Sequence, residues 1–309
     1  MEKIVPLAAA TVKGPLGVVH LPRLWLKAVL AAAQLLPGDY SSGYGGTDRD
    51  LLDGIGLDGA ATFAYLATVP SYQEFEIWVR ANAAALDPAS VATVNAAIGG
   101  HLKPPEKAAA NRAALGLGDT GERRTALLNA LDDWATVHAA VVARRGAALE
   151  PLVPAISSQS FGPLGLVHLP RFWLKATLNA AGALFPGWVS GQASGFDRAF
   201  AAEVGFDLDA AIAHVSAELP SYPQFEAWFA PHAGGLDAER VARHNPPLLG
   251  RQKPEDIAAR ERAILGIDDP SYRPSVTIND LLDWRELHEI CVAAAAGGLA
   301  LQGPNAQRL

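Results

Sequence analysis

The sequence has little cysteine and little charge. Its single cysteine, Cys291, can form no disulfide within the chain, and it cannot build a metal site from several thiolates. Charged residues make up 18% of the 309 residues, against about 25% in an average soluble protein. They leave a formal net charge of -7, and lysine and arginine form no cluster. This balance counts against nucleic acid and against an anionic membrane surface as partners.

Long hydrophobic runs are also missing. The most apolar stretch, residues 290–301, has 12 residues and contains two glycines, whereas a membrane-spanning helix needs about 20. The first 14 residues mix acidic and basic side chains and lack the pattern of a signal peptide. We therefore expect a cytoplasmic protein that does not enter the membrane.

The dominant feature of the sequence is a repeat. Three segments of the first half return in the second, and they are GPLGVVHLPRLWLKA (14–28) as GPLGLVHLPRFWLKA (162–176), PSYQEFEIW (70–78) as PSYPQFEAW (220–228), and LDDWATVH (131–138) as LLDWRELH (281–288). Self-similarity at a fixed spacing indicates repeated structural units. The repeat predicts two helical units, residues 1–150 and 151–309, which meet in the proline- and serine-rich segment 149–160.

Local signals predict helices in both units. Pro22 stands where a first helical turn accepts proline, and no breaker follows until Pro37. Ser71 and Ser221 have capping-box spacing to Glu74 and Gln224. Alternation typical of strands is nearly absent, and alanine is abundant. We predict an all-α fold in which two homologous helical units in tandem pack as a pseudo-twofold pair.

One motif resembles a known family. Each unit contains the pattern LPRxxxKA, which runs from Leu21 to Ala28 in the first and from Leu169 to Ala176 in the second. It is similar to the motif of an uncharacterised bacterial helical domain family of unknown function, over mainly the first third of each unit. The resemblance implies a helical fold present as a tandem duplication, and it implies no mechanism.

Polar residues that occur in both units are the candidates for chemistry. They include two histidine pairs, His20 with His168 and His138 with His288. Imidazoles hold metal ions or haem iron, so we predict that all four are metal ligands if they converge. His20 and His168 are also candidate catalytic acids or bases. The structural alternative is that they tie down the loop before each LPR helix.

Two basic side chains follow His20, and two follow His168. Arg23 and Lys27 lie four residues apart and share a helix face, as do Arg171 and Lys175, and such like charges cost about 0.2 to 0.5 kcal/mol. An anionic partner should compensate for them. We favour buried ion pairs, with these candidates: Asp48 and Asp197, or Glu76 and Glu226. The functional alternative is a ligand carboxylate, a phosphate or haem propionates, which makes Arg23 and Arg171 candidate catalytic residues.

Six of the seven tryptophans belong to the repeat, namely Trp25, Trp78, Trp134, Trp173, Trp228 and Trp284. Their spacing among leucines predicts core positions. If a pocket opens between the units, we expect Trp173 to line a cofactor-binding site with His168, Lys175 and His288. Cys291 shares a helix face with His288, and we expect its thiol to be buried and inert.

The sequence leaves three functions open. The first is a haem- or iron-dependent oxidoreductase, similar to an oxygenase, that acts on a small apolar or aromatic substrate between the units. The second is a cofactor-free isomerase or lyase, in which histidine is the general base and arginine and lysine bind a substrate carboxylate. The third is a non-catalytic binding or scaffold protein. Association into a homodimer is compatible with each of them.

Overall fold

The computed structural model describes residues 3–144 and 149–297. In these residues the chain forms fourteen α-helices, seven in each half. Those of the first half are α1 Leu21–Ala32, α2 Gly46–Gly54, α3 Gly59–Leu66, α4 Tyr72–Asn82, α5 Pro88–Gly100, α6 Pro105–Ala114 and α7 Thr125–Ala143. Those of the second are α8 Leu169–Ala180, α9 Gly195–Val204, α10 Leu208–Glu218, α11 Tyr222–His232, α12 Ala238–Leu249, α13 Glu255–Leu265 and α14 Ser275–Ala295. Extended pairing in the described ranges is limited to isolated bridges, so the all-α prediction is confirmed.

The helix starts follow the local sequence signals. Ser71 caps α4 through a capping box with Glu74, and the Ser221 amide donates to the Gln224 side chain at the start of α11. Helix α1 is shorter than predicted, because it ends at Ala32 and not at Pro37. The reason is a left-handed residue, Gln34 with φ 58°, which turns the chain before the proline. Among the described helices, none is both long and apolar enough to cross a membrane.

Helices α1 and α8 lie at the centre of their halves. Each has ten consecutive buried residues, 21–30 in α1 and 169–178 in α8, so neither leaves a solvent-exposed face over this stretch. The arginine and lysine of each LPRxxxKA motif are therefore buried as well. A buried cation requires a counter-ion or several hydrogen-bond acceptors, and these must come from the elements packed around the helix.

The last helix of each half packs against the other half. The Trp284 ring of α14 lies 4.4 Å from the Tyr72 ring and 6.5 Å from the Trp25 ring, measured between centroids. In the matching contact, the Trp134 ring of α7 lies 4.9 Å from the Tyr222 ring. Each half thus contributes a buried indole to the core of the other.

Hydrogen bonds between the halves follow the same exchange. The His138 Nε2–H donates to the Leu219 carbonyl oxygen, and the His288 Nε2–H donates to the Val69 carbonyl oxygen, both at 2.9 Å. Leu219 and Val69 both have left-handed backbones, with φ 45° and 55°. These two chain reversals are therefore held by an imidazole from the opposite half.

Candidate functional site

A buried charge cluster follows the LPR motif of the first half. The Lys27 ammonium lies 2.6 Å from Asp48 Oδ2, and His20 Nε2 lies 2.7 Å from Asp48 Oδ1. One turn earlier on α1, Arg23 Nη1 lies 2.6 Å from Asp133 Oδ2. All five side chains are buried. The two cations of the shared helix face are therefore compensated by two carboxylates from different helices.

The second half repeats this cluster. The Lys175 ammonium lies 2.7 Å from Asp197 Oδ1, and His168 Nε2 lies 3.1 Å from the same oxygen. Arg171 donates to both oxygens of Asp283. The lysine pairs therefore follow the favoured expectation. The arginines pair instead with Asp133 of α7 and Asp283 of α14, which were not among the candidate partners.

The two glutamates accept hydrogen bonds elsewhere in their halves. The Tyr72 hydroxyl donates to Glu76 Oε1 at 2.7 Å, and the Tyr222 hydroxyl donates to Glu226 Oε1 at 2.8 Å. Burial raises the pKa of both glutamates to about 7. Neither forms an ion pair with the arginine of its own half, so of the two predicted alternatives only Asp48 and Asp197 pair with a cation of the motif.

His20 and His168, the histidines before the two LPR helices, differ in one hydrogen bond. His168 donates from Nε2 to Asp197, and its Nδ1 accepts from the Ser158 hydroxyl at 2.9 Å. Ala10 stands at the position that matches Ser158, and Nδ1 of His20 is buried with no partner among the described residues. Burial lowers the pKa of both histidines, in His168 to about 4. Both imidazoles are therefore neutral at neutral pH.

A cleft of about 720 Å³ opens above the second cluster. Its lining residues all belong to the second half. His168, Arg171 and Lys175 line it, and further residues come from the loop between α8 and α9, from the segment before α13, and from α13 and α14. This cleft lies within one half, and the expected pocket between the two halves stays a prediction.

Three arginines of this cleft lack a carboxylate partner. Arg198 donates to the Gln192 carbonyl oxygen, and the Arg251 guanidinium carbon lies 5.8 Å from the centre of the Phe196 ring. Arg260 is exposed on α13. Within the described part of the chain, none of the three arginines forms an ion pair. They therefore place positive charge in the cleft that the protein does not neutralise.

In the matching region of the first half, one carboxylate lies between two basic side chains. Arg49 lies 3.4 Å from Asp50, and His101 lies 3.7 Å from the same carboxylate. Charged residues of the cleft lining differ between the halves at five positions, namely Ala199 for Asp50, Arg251 for His101, Arg260 for Ala110, Glu261 for Asn111 and Ile257 for Lys107. The second half thus lacks the carboxylate beside Arg198 and has two further guanidinium groups, while a new carboxylate, Glu261, pairs with Lys253.

The loop between α8 and α9 is tied to the buried cluster. Lys175 Nζ donates to the Val189 carbonyl oxygen at 3.2 Å and to the Ser194 hydroxyl at 3.1 Å. The Trp188 indole N–H donates to Asp283 Oδ1 at 2.8 Å. The lysine and the aspartate therefore hold one wall of the cleft in a single conformation.

The first half replaces Trp188 by a tyrosine at a different sequence position. The Tyr40 hydroxyl donates to Asp133 Oδ1 at 2.6 Å, which is the contact that Trp188 makes with Asp283. Aligned letter by letter, the two loops place Tyr40 opposite Val189 instead. The structural counterpart could not be identified from the alignment, because the two loops differ in conformation, and only the second contains the 3-10 turn Gly191–Ala193.

The other predicted site residues lie away from the cleft. Trp173 is buried in the core, where its indole donates to the Pro220 carbonyl oxygen. His138 and His288 bind backbone carbonyls of the opposite half, as described above. Across residues 3–144 and 149–297, no three histidine, cysteine, aspartate or glutamate side chains are grouped so that they could hold a metal ion. The four-histidine metal site and the haem site stay predictions.

One further sequence expectation concerns Cys291. The thiol of Cys291 is buried, and burial raises its pKa to about 12, as an inert core cysteine requires. The arginines of the cleft were missed, because the candidates were chosen among residues that the two units share. The informative positions here are those at which the units differ.

Comparisons with family models, with curated proteins and with solved structures find no match for this chain.

Proposed function

We propose that the chain is a binding protein for a small anionic molecule, which the cleft of the second half accommodates. The observation that carries the proposal is the set of three arginines without a carboxylate partner, Arg198, Arg251 and Arg260. Guanidinium groups bind carboxylates and phosphates through paired hydrogen bonds. An anion in the cleft would supply the charge that Asp50 supplies in the first half.

The charge balance of the cleft supports an anionic ligand. Six lysine and arginine side chains line it, against the carboxylates of Glu261 and Asp283. Asp197 behind the wall adds a third negative charge. The whole chain is acidic, with a formal net charge of -7, so the positive cleft is a local exception. A cleft lined by one sign of charge concentrates ligands of the opposite sign.

The hydrogen bonds of His168 support binding more than catalysis. A general base needs a lone pair directed at the substrate proton. In His168, Nδ1 accepts from Ser158 and Nε2 donates to Asp197, so both nitrogens are engaged by the protein. The isomerase or lyase that uses this histidine as its base is therefore the weaker proposal. His168, Arg171 and Lys175 support the cleft from below.

We further propose that the two homologous halves pack as a pseudo-twofold pair. The exchanged contacts support this arrangement, since His138 reaches Leu219 in the same way that His288 reaches Val69. In this view the first half serves as a scaffold that completes the core of the second. The haem- or iron-dependent oxidoreductase remains a separate proposal, and a Soret band or stoichiometric iron in the purified protein would support it.

Titration calorimetry with inorganic pyrophosphate at low ionic strength tests the anion site. We expect one site per chain and an affinity that falls as salt is added. Ala199→Asp introduces the carboxylate that the first half has at Asp50. We expect it to weaken pyrophosphate binding at least about tenfold, because the new carboxylate neutralises arginines that would otherwise bind the ligand.

The matched control is Ala110→Asp, which adds the same charge at the exposed equivalent of Arg260 in the first half. It should leave the affinity within about twofold of the parent, because exposed charges act over roughly a Debye length. Absence of pyrophosphate binding by the parent protein, or equal binding by Ala199→Asp, would contradict the proposal.

A further inference from the structure

We infer that the ligand of the cleft is a phosphate ester with an aromatic ring, and that this ring lies against the indole of Trp188. The inference rests on the proposed anion site and adds the chemical class of the ligand. Its basis is the separation of two kinds of surface within one cleft, a cationic wall and an apolar wall.

The cationic wall comes from the segment before α13 and from α13 itself. It carries Arg251, Lys253 and Arg260. Lys253 is held by Glu261 at 2.7 Å, whereas the two arginines have no carboxylate partner in the described residues. Their donors can therefore turn toward a ligand at no cost in broken ion pairs.

The apolar wall comes from the loop between α8 and α9. Trp188 is half-buried there, and the neighbouring Val189 is 48% exposed. A large aliphatic residue and an indole that both remain open to the cleft indicate an apolar portion of the ligand. Ile257 and Leu282 extend the apolar lining from the helices around the cleft.

The indole of Trp188 is fixed before any ligand binds. Its N–H donates to Asp283, and the Phe185 ring packs against it edge-on, with 5.3 Å between centroids and an interplanar angle of 86°. A ring held in this way offers contact area at a small cost in side-chain entropy. Phe196, which also lines the cleft, stacks on His168 at 4.2 Å and lies next to Arg251.

The excess charge favours a phosphate over a carboxylate. The lining carries six cations against two carboxylates, and Asp197 lies behind it, so three positive charges are left over. A phosphate monoester brings close to two negative charges and three acceptor oxygens, whereas a carboxylate brings one charge and two oxygens. The volume of about 720 Å³ lies within the usual range for small-molecule sites and leaves room for a ring beside the phosphate.

Four probes separate the contributions of charge and ring, namely phenyl phosphate, cyclohexyl phosphate, inorganic phosphate and benzoate. We expect phenyl phosphate to bind about tenfold more tightly than cyclohexyl phosphate or inorganic phosphate, because stacking of a ring on an aromatic side chain is worth about this factor. Benzoate keeps the aromatic ring but brings one negative charge and two acceptor oxygens, so it should also bind more weakly than phenyl phosphate. Phenyl phosphate should also change the fluorescence of the protein through Trp188.

Variants assign the ring contact. Trp188→Leu should bring the ratio of phenyl phosphate to inorganic phosphate affinity close to one, whereas Trp188→Phe keeps a ring and should keep most of the ratio. Trp228→Leu removes another half-buried tryptophan, on α11 outside the cleft lining, and should leave the ratio unchanged. A ratio that survives in Trp188→Leu would overturn the inference.

The probes also distinguish the inference from the proposal beneath it. If phenyl phosphate and inorganic phosphate bind equally well, the aromatic part is wrong and the anion site stands. If benzoate equals phenyl phosphate, the phosphate part is wrong. If none of the four probes nor pyrophosphate binds, both the inference and the proposed function fail.

Discussion

The imidazole of His288 donates a hydrogen bond to the carbonyl oxygen of Val69, 219 residues earlier in the chain. Val69 has a left-handed backbone, which a β-branched residue adopts only when its surroundings enforce it. His138 makes the same bond to the left-handed Leu219 of the second half. The last helix of each half therefore fixes a chain reversal in the other.

Removal of either imidazole should destabilise the whole chain. His288→Ala leaves the Val69 carbonyl without its donor, and we expect the free energy of unfolding to fall by about 1 to 3 kcal/mol. His138→Ala should have an effect of similar size, because its bond has the same length. Urea unfolding measures both. If neither variant differs from the parent, these bonds do not hold the halves together.

Loss of a buried ion-pair partner should cost more. Arg23→Met leaves Asp133 buried without its cation, and we expect a loss of about 3 to 5 kcal/mol. The double variant Arg23→Met with Asp133→Leu should recover part of this loss, since no uncompensated charge remains. Urea unfolding of the parent, the single variants and the double variant measures the coupling. Additive effects would contradict a direct ion pair.

Stability should depend on the ionisation of Asp280. Burial raises the pKa of this carboxyl to about 7, while the Ser157 hydroxyl and the Gln159 amide donate to its Oδ2. Between its ordinary pKa and 7, the folded chain holds a proton that the unfolded chain has released. Stability from this group is therefore fully present below the ordinary pKa, falls as the pH rises toward 7, and changes no further above about pH 7.

Asp280→Asn mimics the protonated carboxyl and should remove this dependence. At about pH 8 we expect the variant to be more stable than the parent by roughly 2 to 4 kcal/mol, and at about pH 5 to be within about 1 kcal/mol. The variant keeps the pH dependence of stability that the buried Glu76 and Glu226 contribute. Urea unfolding at both pH values decides the point, with the exposed Asp256→Asn as a control. A constant difference between variant and parent would contradict it.

A single added hydroxyl should donate a hydrogen bond to the unpaired Nδ1 of His20. Ala10→Ser places a donor where the second half has Ser158, and we expect a gain of about 0.5 to 1.5 kcal/mol. Conversely, Ser158→Ala should cost about 1 to 3 kcal/mol, because it leaves Nδ1 of His168 unpaired. Thermal and urea unfolding compare the two. Changes of the same sign in both variants would rule out this explanation.

The proposed anion site should be transferable to the first half. Asp50→Ala, His101→Arg and Ala110→Arg together give the first half the three residues of the second. We expect the number of pyrophosphate molecules bound per chain to rise from about one to about two, with the second event weaker. Calorimetry gives the stoichiometry directly. The triple variant combined with Ala199→Asp should return to about one site.

The sequence predicts the helical class and most helix starts, because these depend on local signals. Ser71 with Glu74 and Asp87 before Pro88 mark helix starts that the structure contains. The shared positions of Arg23 and Lys27 also indicate buried charge correctly. Which carboxylate meets which cation could not be predicted, since Asp133 follows Arg23 by 110 residues and only the tertiary packing brings them together.

The cleft itself depends on differences between the two units. In a single unit, neither Ala199 nor Arg251 indicates a binding site. They do so only in comparison with Asp50 and His101 of the first half, whose distances the structure gives. The repeat pattern also could not predict that each half places a tryptophan in the core of the other. Trp134 has the spacing of a core residue, but the pattern does not say whose core it enters.

The exchanged tryptophans also have a consequence for synthesis on the ribosome. Trp25 is made about 259 residues before its neighbour Trp284. At about 5 to 20 residues per second, the first half waits for some tens of seconds or less with its indole-binding face uncovered. A nascent chain of this design is a natural client for chaperones that shield apolar surface, because the core of the first half closes only once α14 has been made.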